Sequence, residues 1–366
     1  MPNPQPETNP QFLLDDPRPW PFSRSELLAG IRRLTGDARQ QVSAIQSYDI
    51  AQQRPSIGRI RGLQVKCTGA EETFTFELVL KEPQGTTRMG MAGVGLREVS
   101  IYQVLVDVLP VRMPKLIAAH PSGDWLVLEL LPAGREVQTW TASEYYLALD
   151  HLITLHDRFW GLGNDLAIYT WLSRPLESDF DIYVKAAATG VGHLVDDSPP
   201  ALFTRDPQLA QLLGRLVVHA DKIAAGLNQA PTTFIHGDYW PGNLHIDEDA
   251  NVTIFDWQQA GIGPSVLDLV NFVQASRWWF SPLPLSTEEI IAYYRHGIAE
   301  SLDYRWEDSE WETQWDYALL WIFIANWIDL VAAIPESLVE TRLEQFEEIW
   351  LAPLRAAAER CAIPPA

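Results

Sequence analysis

Hydrophobic and polar positions alternate with period two in two places along the chain, and each place reads as a hairpin. In the first, Leu63, Val65 and Cys67 alternate within Gly58 to Lys66 and just beyond, and Phe74, Phe76, Leu78 and Leu80 alternate within Thr73 to Lys81. Gly69-Ala-Glu-Glu72 lies between the two runs as a turn. In the second, Leu244 and Ile246 alternate around His245, Asp247-Glu-Asp-Ala-Asn251 supplies turn chemistry, and Val252 and Ile254 alternate again. Alternation of this kind marks half-buried strands, and a short polar turn between two such runs marks a hairpin. Elsewhere the apolar positions recur every three to four residues, as on one face of a helix.

Ser23-x-x-Glu26, Thr141-x-x-Glu144 and Ser286-x-x-Glu289 precede such helical stretches, and each has the form of a capping box. The Thr141 helix carries Tyr145, Leu149, Leu152, His156 and Phe159 on its apolar stripe and ends at Gly161-Leu-Gly163, so His156 reads as a core histidine. Gln208 to Asn228 reads as one further helix. Trp125-Leu-Val-Leu-Glu129-Leu-Leu-Pro132 reads as an apolar strand. Tyr317 to Ile328 is apolar but is closed by Asp316 and Asp329 after twelve residues, which is short for a bilayer span and reads as a buried helix.

The candidate chemistry sits around the second hairpin. Phe234 and Ile235 lead into His236-Gly-Asp238-Tyr-Trp-Pro-Gly-Asn243, and the hairpin that follows ends at Phe255-Asp256-Trp257. A hairpin brings its two ends together, so Asn243 and Asp256 become neighbours. A carboxylate facing a hydroxyl, with an amide oxygen and a second carboxylate beside it, is what phosphoryl transfer from a metal–nucleotide requires. Magnesium takes much of its shell from water and phosphate, so two protein oxygens suffice. Each piece has a plainer use: His-Gly-Asp is common loop material, and Asp256 is placed to cap a turn.

This run, with Gly263-Pro-Ser-Val-Leu-Asp268-Leu after it, resembles the aminoglycoside phosphotransferase / choline kinase superfamily of small-molecule kinases. The resemblance implies an α+β, bilobal protein-kinase-like fold: a small N-terminal lobe with an antiparallel sheet and one key helix, and a large, mainly helical C-terminal lobe. It implies that Asp238 orients or deprotonates the acceptor hydroxyl and that Asn243 and Asp256 hold magnesium. His236 would fix the loop, and Asp268 would anchor it from the start of the next helix. Upstream, Lys81 closes a strand where it would reach the α- and β-phosphates. Glu98 shares a helix face with Ile101, Tyr102 and Leu105 and is placed to pair with Lys81. Backbone groups from Glu129 to Leu131 would bond an adenine edge at a hinge spanning 129–134. The domain expectation is an extension and helix over 1–40, a nucleotide-binding lobe over 41–132 and a catalytic and acceptor lobe over 135–366.

Two glycine-containing segments compete for the phosphates. Ser56-Ile-Gly58-Arg-Ile-Arg-Gly62 stands where a covering loop belongs, and Gly85, Gly90, Gly93 and Gly95 form either a flap or, as favoured, a flexible connector. No ATPase-type phosphate loop occurs. Asp256-Trp-Gln replaces the Asp-Phe-Gly of protein kinases and no Ala-Pro-Glu follows, so a small acceptor is expected over a protein. The donor that the resemblance implies is ATP or GTP, with Mg2+. A regulator that binds nucleotide or ligand without turnover is the alternative, although all five residues needed for turnover are present.

Composition trims the list of partners. The chain has 366 residues and a net charge of −21, which excludes nucleic acid as an expected partner and is compatible with a cationic acceptor; solubility is the plainer reading. The acidic clusters (Glu177–Asp181, Asp196–Asp197, Asp247–Asp249 and Asp303–Glu312) are expected on solvated surface. Eight of the fifteen tryptophans fall between Trp278 and Trp350. Most are expected in the core, with one or two at an acceptor pocket. Two cysteines and a polar, proline-rich start set a cytoplasmic expectation. Acceptor identity and oligomeric state are not readable.

Overall fold

The structure is a computed structural model that describes residues 20–50, 58–69, 73–83, 93–195, 206–333 and 341–364. It divides into two compact units. The first holds the described residues up to 83, Gly93–Val106 and Met113–Pro132; the second holds Asp107–Arg112 and the described residues from Ala133 onward.

The first unit is an antiparallel sheet with a helix on it. It contains α1 (Arg24–Thr35), β1 (Gln41–Tyr48), β2 (Arg59–Thr68), β3 (Thr73–Glu82), α2 (Val94–Ser100), β4 (Leu116–Ala119) and β5 (Leu126–Glu129), with strand order β1-β2-β3-β5-β4. The period-two pattern explains the core. Leu63, Val65 and Cys67 of β2 and Leu78 and Leu80 of β3 are buried together with Leu27 and Ile31 of α1. Phe74, at the turn end of β3, lies outside that core and is exposed. The α1 capping box forms: the Ser23 hydroxyl accepts from Glu26 N–H, and the Glu26 carboxylate accepts from Ser23 N–H at 2.7 Å. Such caps are worth about 1 kcal/mol each.

Helix α2 begins three residues before Arg97 and widens into a π-type turn over Ile101–Leu105. A Cβ at Gly95 would lie 2.1 Å from the Gly123 carbonyl oxygen, so the close seat of α2 beside that turn requires glycine. The phosphate-loop expectation changes: Arg59 to Gly62 are strand residues of β2. Residues 56 and 57, the turn residues 70–72, and Gly85 and Gly90 of the glycine cluster lie outside the described residues, as do Asp196 and Asp197.

The second unit is mainly helical: α3 (Ala142–Arg158), α4 (Phe180–Val195), α5 (Pro207–Val218), α6 (Ala220–Leu227), then β6 (Thr232–Ile235), β7 (Leu244–Ile246), β8 (Val252–Ile254), β9 (Gly261–Pro264), and α7 (Val266–Phe280), α8 (Thr287–Leu302) and α9 (Asp308–Ile322). Capping boxes start α3 and α8 as the sequence predicts. The single helix expected over Gln208–Asn228 is two, because His219 leaves the helical region (φ −109°, ψ 24°) and serves as the end of α5 and the start of α6.

The apolar run at Tyr317–Ile328 belongs to a longer element than its flanking aspartates suggest. With α9, a π-type turn over Phe323–Trp327 and a further helical turn after it, a continuous helical stretch of 25 residues spans Asp308–Ala332 and is, by length and composition alone, enough to cross a membrane; 61% of its most apolar window is buried inside the protein. Asp316 does not end the helix, because Arg360 meets its carboxylate with two bonds at 2.6 and 2.7 Å. The buried core here includes Trp278, Trp321, Trp327 and Trp350, while Trp306 and Trp311 are buried at its side.

Candidate active site

Strand β6 pairs with β9 and delivers the chain to His236, which is fully buried. From there a carboxylate takes over the backbone. Asp268, in the first turn of α7, accepts from His236 N–H at 2.7 Å and Gly237 N–H at 2.8 Å. Its Oδ2 also meets Nε2 of buried His156 at 3.1 Å, while His156 Nδ1 meets the Tyr294 hydroxyl at 2.6 Å. His156 is therefore a satisfied core residue with a task, that of holding the anchor. Gly237 adopts φ 77°, and a Cβ there would sit 2.2 Å from the Gln259 carbonyl oxygen. Only glycine fits.

His236 ties the loop to β8 and is not aimed at a reactant. Its Nδ1 accepts from Asp238 N–H at 3.2 Å, so in this arrangement Nε2 carries the proton and donates to the Phe255 carbonyl at 3.1 Å. Trp257 packs at a tilt, its ring centre 4.5 Å from that of His236, and its indole donates to the Ile254 carbonyl. This buried tryptophan follows Asp256 directly and packs beneath the loop.

Asp238 projects from this frame. Asn243 donates one amide group to the Asp238 carbonyl (2.8 Å) and carboxylate (2.9 Å), Asn271 donates to the other carboxylate oxygen at 3.3 Å, and the Trp240 indole also bonds the carboxylate. Burial, reinforced by the nearby Asp256 charge, nevertheless pushes the Asp238 carboxyl up to about 6. The β7–β8 hairpin pairs Leu244 with Ile254, and Phe255 N–H bonds the Asn243 carbonyl at 3.1 Å, which brings Asp256 beside the loop. Because the Asn243 nitrogen is committed to Asp238, its side-chain oxygen remains as an acceptor. That oxygen and the Asp256 carboxylate are hard donors of the kind magnesium takes. Among the described residues no cluster of three or more His, Cys, Asp or Glu forms a metal cage.

In the first unit Lys81 and Glu98 meet as the order of strand and helix predicts. Lys81 closes β3, Glu98 lies on α2, both are buried, and the ammonium is 2.8 and 3.0 Å from the two carboxylate oxygens. The adenine-edge expectation narrows. Glu129 N–H bonds the Lys115 carbonyl and Leu130 N–H bonds the Glu77 carbonyl, so those donors serve the local structure. Leu131 remains at the strand's exit.

Asn271 and Trp240 were not singled out from sequence. Asn271 stands one helical turn after Asp268, on the same face, and that spacing was the available signal. A cavity of about 1160 Å3 between α8 and the start of α9, lined by Arg295, Trp306 and Trp311 among others, includes none of these loop residues.

A five-stranded antiparallel sheet with its helix in one unit and a mainly helical second unit are the elements of a kinase-like fold of the phosphotransferase class. The chain belongs to the phosphotransferase enzyme family (APH), which matches residues 77–308. No curated protein matches it. Among solved structures it is similar to an ethanolamine kinase of Plasmodium vivax, with TM-score 0.55, 11% identity, and coverage of 86% of this chain and 83% of that one. It is also similar to choline kinase LicA of Streptococcus pneumoniae (TM-score 0.48, 11% identity, 92% and 98% coverage). A third is the streptomycin-ATP-APH(2")-IIa ternary complex (TM-score 0.46, 13% identity, 87% and 95% coverage). At 11% identity the likeness to the ethanolamine kinase is one of fold.

Proposed function

We propose that the chain transfers the γ-phosphoryl group of ATP or GTP to a hydroxyl of a small molecule, with Asp238 as the base. The observation that carries this reading is the placement of Asp238: its carboxylate is held by Asn243 and Asn271 and raised to about 6. A base with a pKa near the working pH combines the right protonation state with useful driving force.

In the proposed step the acceptor oxygen forms a bond to the γ-phosphorus as the bond from that phosphorus to the bridging oxygen breaks. The nucleoside diphosphate leaves with the electron pair, and the hydroxyl proton passes to Asp238. Asn243 and Asp256 would hold magnesium, which when bound neutralises charge on the phosphates. Lys81, positioned by Glu98, would hold the α/β end, and the Glu129 carbonyl and the Leu131 backbone would meet the base. His236 and Asp268 keep the loop in shape and touch no reactant. Catalysis of this kind is mostly positioning and charge stabilisation. Cys67 and Cys361 are free thiols raised by burial to about 11, unsuited to nucleophilic work and in keeping with a cytoplasmic enzyme.

The test is magnesium-dependent ATP and GTP turnover over a panel of hydroxylated acceptors. Acceptor-dependent diphosphate release that vanishes in Asp238→Ala, with nucleotide binding retained, supports the assignment. Full activity in Asp238→Ala refutes it.

A further inference from the structure

We infer that the acceptor is a neutral alcohol with a flat apolar body, seated on a shelf of aromatic rings that begins at Asp238, and is not an organic cation. The inference rests on Asp238 being the base of the proposed reaction.

The shelf starts with Trp240, two residues past Asp238. Its indole bonds the Asp238 carboxylate, which fixes the ring with its N–H edge against the base. Beyond it the ring lies 6.4 Å from Trp279 at an interplanar angle of 36°, and 6.1 Å from Phe280 at 35°. Those separations are within the range over which aromatic rings interact, so the half-buried Trp240 and the exposed Trp279 form an apolar surface that the buried Phe280 backs. Trp279 is 36% exposed and, among the described residues, is the one tryptophan in the exposed class. An aromatic side chain left open one ring beyond a half-buried base is where the body of a substrate gains contact area when it leaves water.

The charge beside the shelf argues against a cation. The Arg342 guanidinium lies 5.4 Å from the Trp278 ring centre and 5.7 Å from that of Trp279, and donates to the Trp278 carbonyl at 3.2 Å. Among the described residues no carboxylate pairs with it. Attraction between a ring face and a positive charge is the main way an aromatic surface draws an ammonium group. At Trp279 the protein's own arginine already supplies that charge, and it repels a second one. The overall charge of −21 favours cations at long range, but at Trp279 the charge in contact is that of Arg342, since fields from distant exposed charges are screened within roughly 8–10 Å.

The experiment is calorimetric binding of three probes to the full chain: 2-(2-naphthyl)ethanol, choline, and 3,3-dimethylbutan-1-ol, the uncharged isostere of choline. The naphthyl alcohol is expected to bind at least about tenfold more tightly than choline, a difference of about 1.4 kcal/mol. The uncharged isostere is expected to bind more tightly than choline itself. Trp279→Ala should remove the naphthyl preference, and Arg342→Gln should raise choline affinity. Choline binding as tight as its isostere, no detectable binding of the naphthyl alcohol, or an unchanged preference in Trp279→Ala would each overturn the inference. Magnesium–ATP affinity is measured alongside. Its absence defeats the phosphotransferase reading, whereas the shelf stands or falls on the alcohols alone.

Discussion

The carboxylate of Asp268 holds the backbone N–H of His236 at 2.7 Å, so the loop that carries Asp238 hangs from the first turn of α7. Three N–H groups in all converge on Asp268: those of His236 and Gly237, and the imidazole of His156. An amide in that place offers one acceptor where three donors arrive. Asp268→Asn should therefore destabilise the chain by about 3 kcal/mol in chemical denaturation, the scale for breaking a buried charged network. Turnover should fall by more than the loss of folded protein accounts for.

The pH profile should report Asp238. A base must be unprotonated to take a proton, and burial and Asp256 together raise this carboxyl to about 6. Measured on free enzyme as kcat/KM, activity should rise with pH through about 6 and then level off. Asp256 raises the value by like-charge repulsion, so cation binding there, or Asp256→Asn, moves the rise to lower pH. A profile flat from roughly pH 5 to 8 contradicts the assignment.

Lys81 and Glu98 invite a double-mutant cycle. Lys81→Met leaves a buried carboxylate unpaired and should cost about 3–5 kcal/mol. Adding Glu98→Leu replaces the pair with apolar groups and should recover most of that stability. Neither variant should turn over nucleotide. Recovery of activity along with stability would show the pair to be structural.

Gly237→Ala is a sharper probe of the loop than most larger changes. The positive φ alone costs about 1–2 kcal/mol for an L-residue, and the new methyl meets the Gln259 carbonyl oxygen. Relief of that clash moves the peptide whose N–H bonds Asp268. Circular dichroism should remain native while turnover drops about tenfold or more, the scale for a misplaced catalytic group.

How much of this was legible in the sequence follows from how local each feature is. The β7–β8 hairpin, the capping boxes at Ser23, Thr141 and Ser286, and the Lys81–Glu98 approach depend on near neighbours or on one strand and one helix, and their patterns point to them. Strand β9 pairing with β6 spans the whole loop and hairpin between them, and no short pattern encodes it. Asp316 was read as the end of an apolar run because its partner, Arg360, lies far along the chain. The engagement of the Glu129 and Leu130 N–H groups is hidden for a similar reason: the Lys115 and Glu77 carbonyls that accept them lie far off in sequence. Asn271 and Trp240 carry no signature of their own, since amides and indoles are common on helices and loops. Only the position of Asp238 makes them informative.

Asp256 sits at φ 66°, in the left-handed region that side chains other than glycine adopt at a cost. It also stands close enough to Asp238 for the two negative charges to oppose each other. Asp256→Gly would relax both tensions at once and should raise the melting temperature, while removing a proposed metal ligand. A laboratory selection for heat resistance alone would thus drift toward inert protein, and survivors altered at this position would mark where durability and turnover part company.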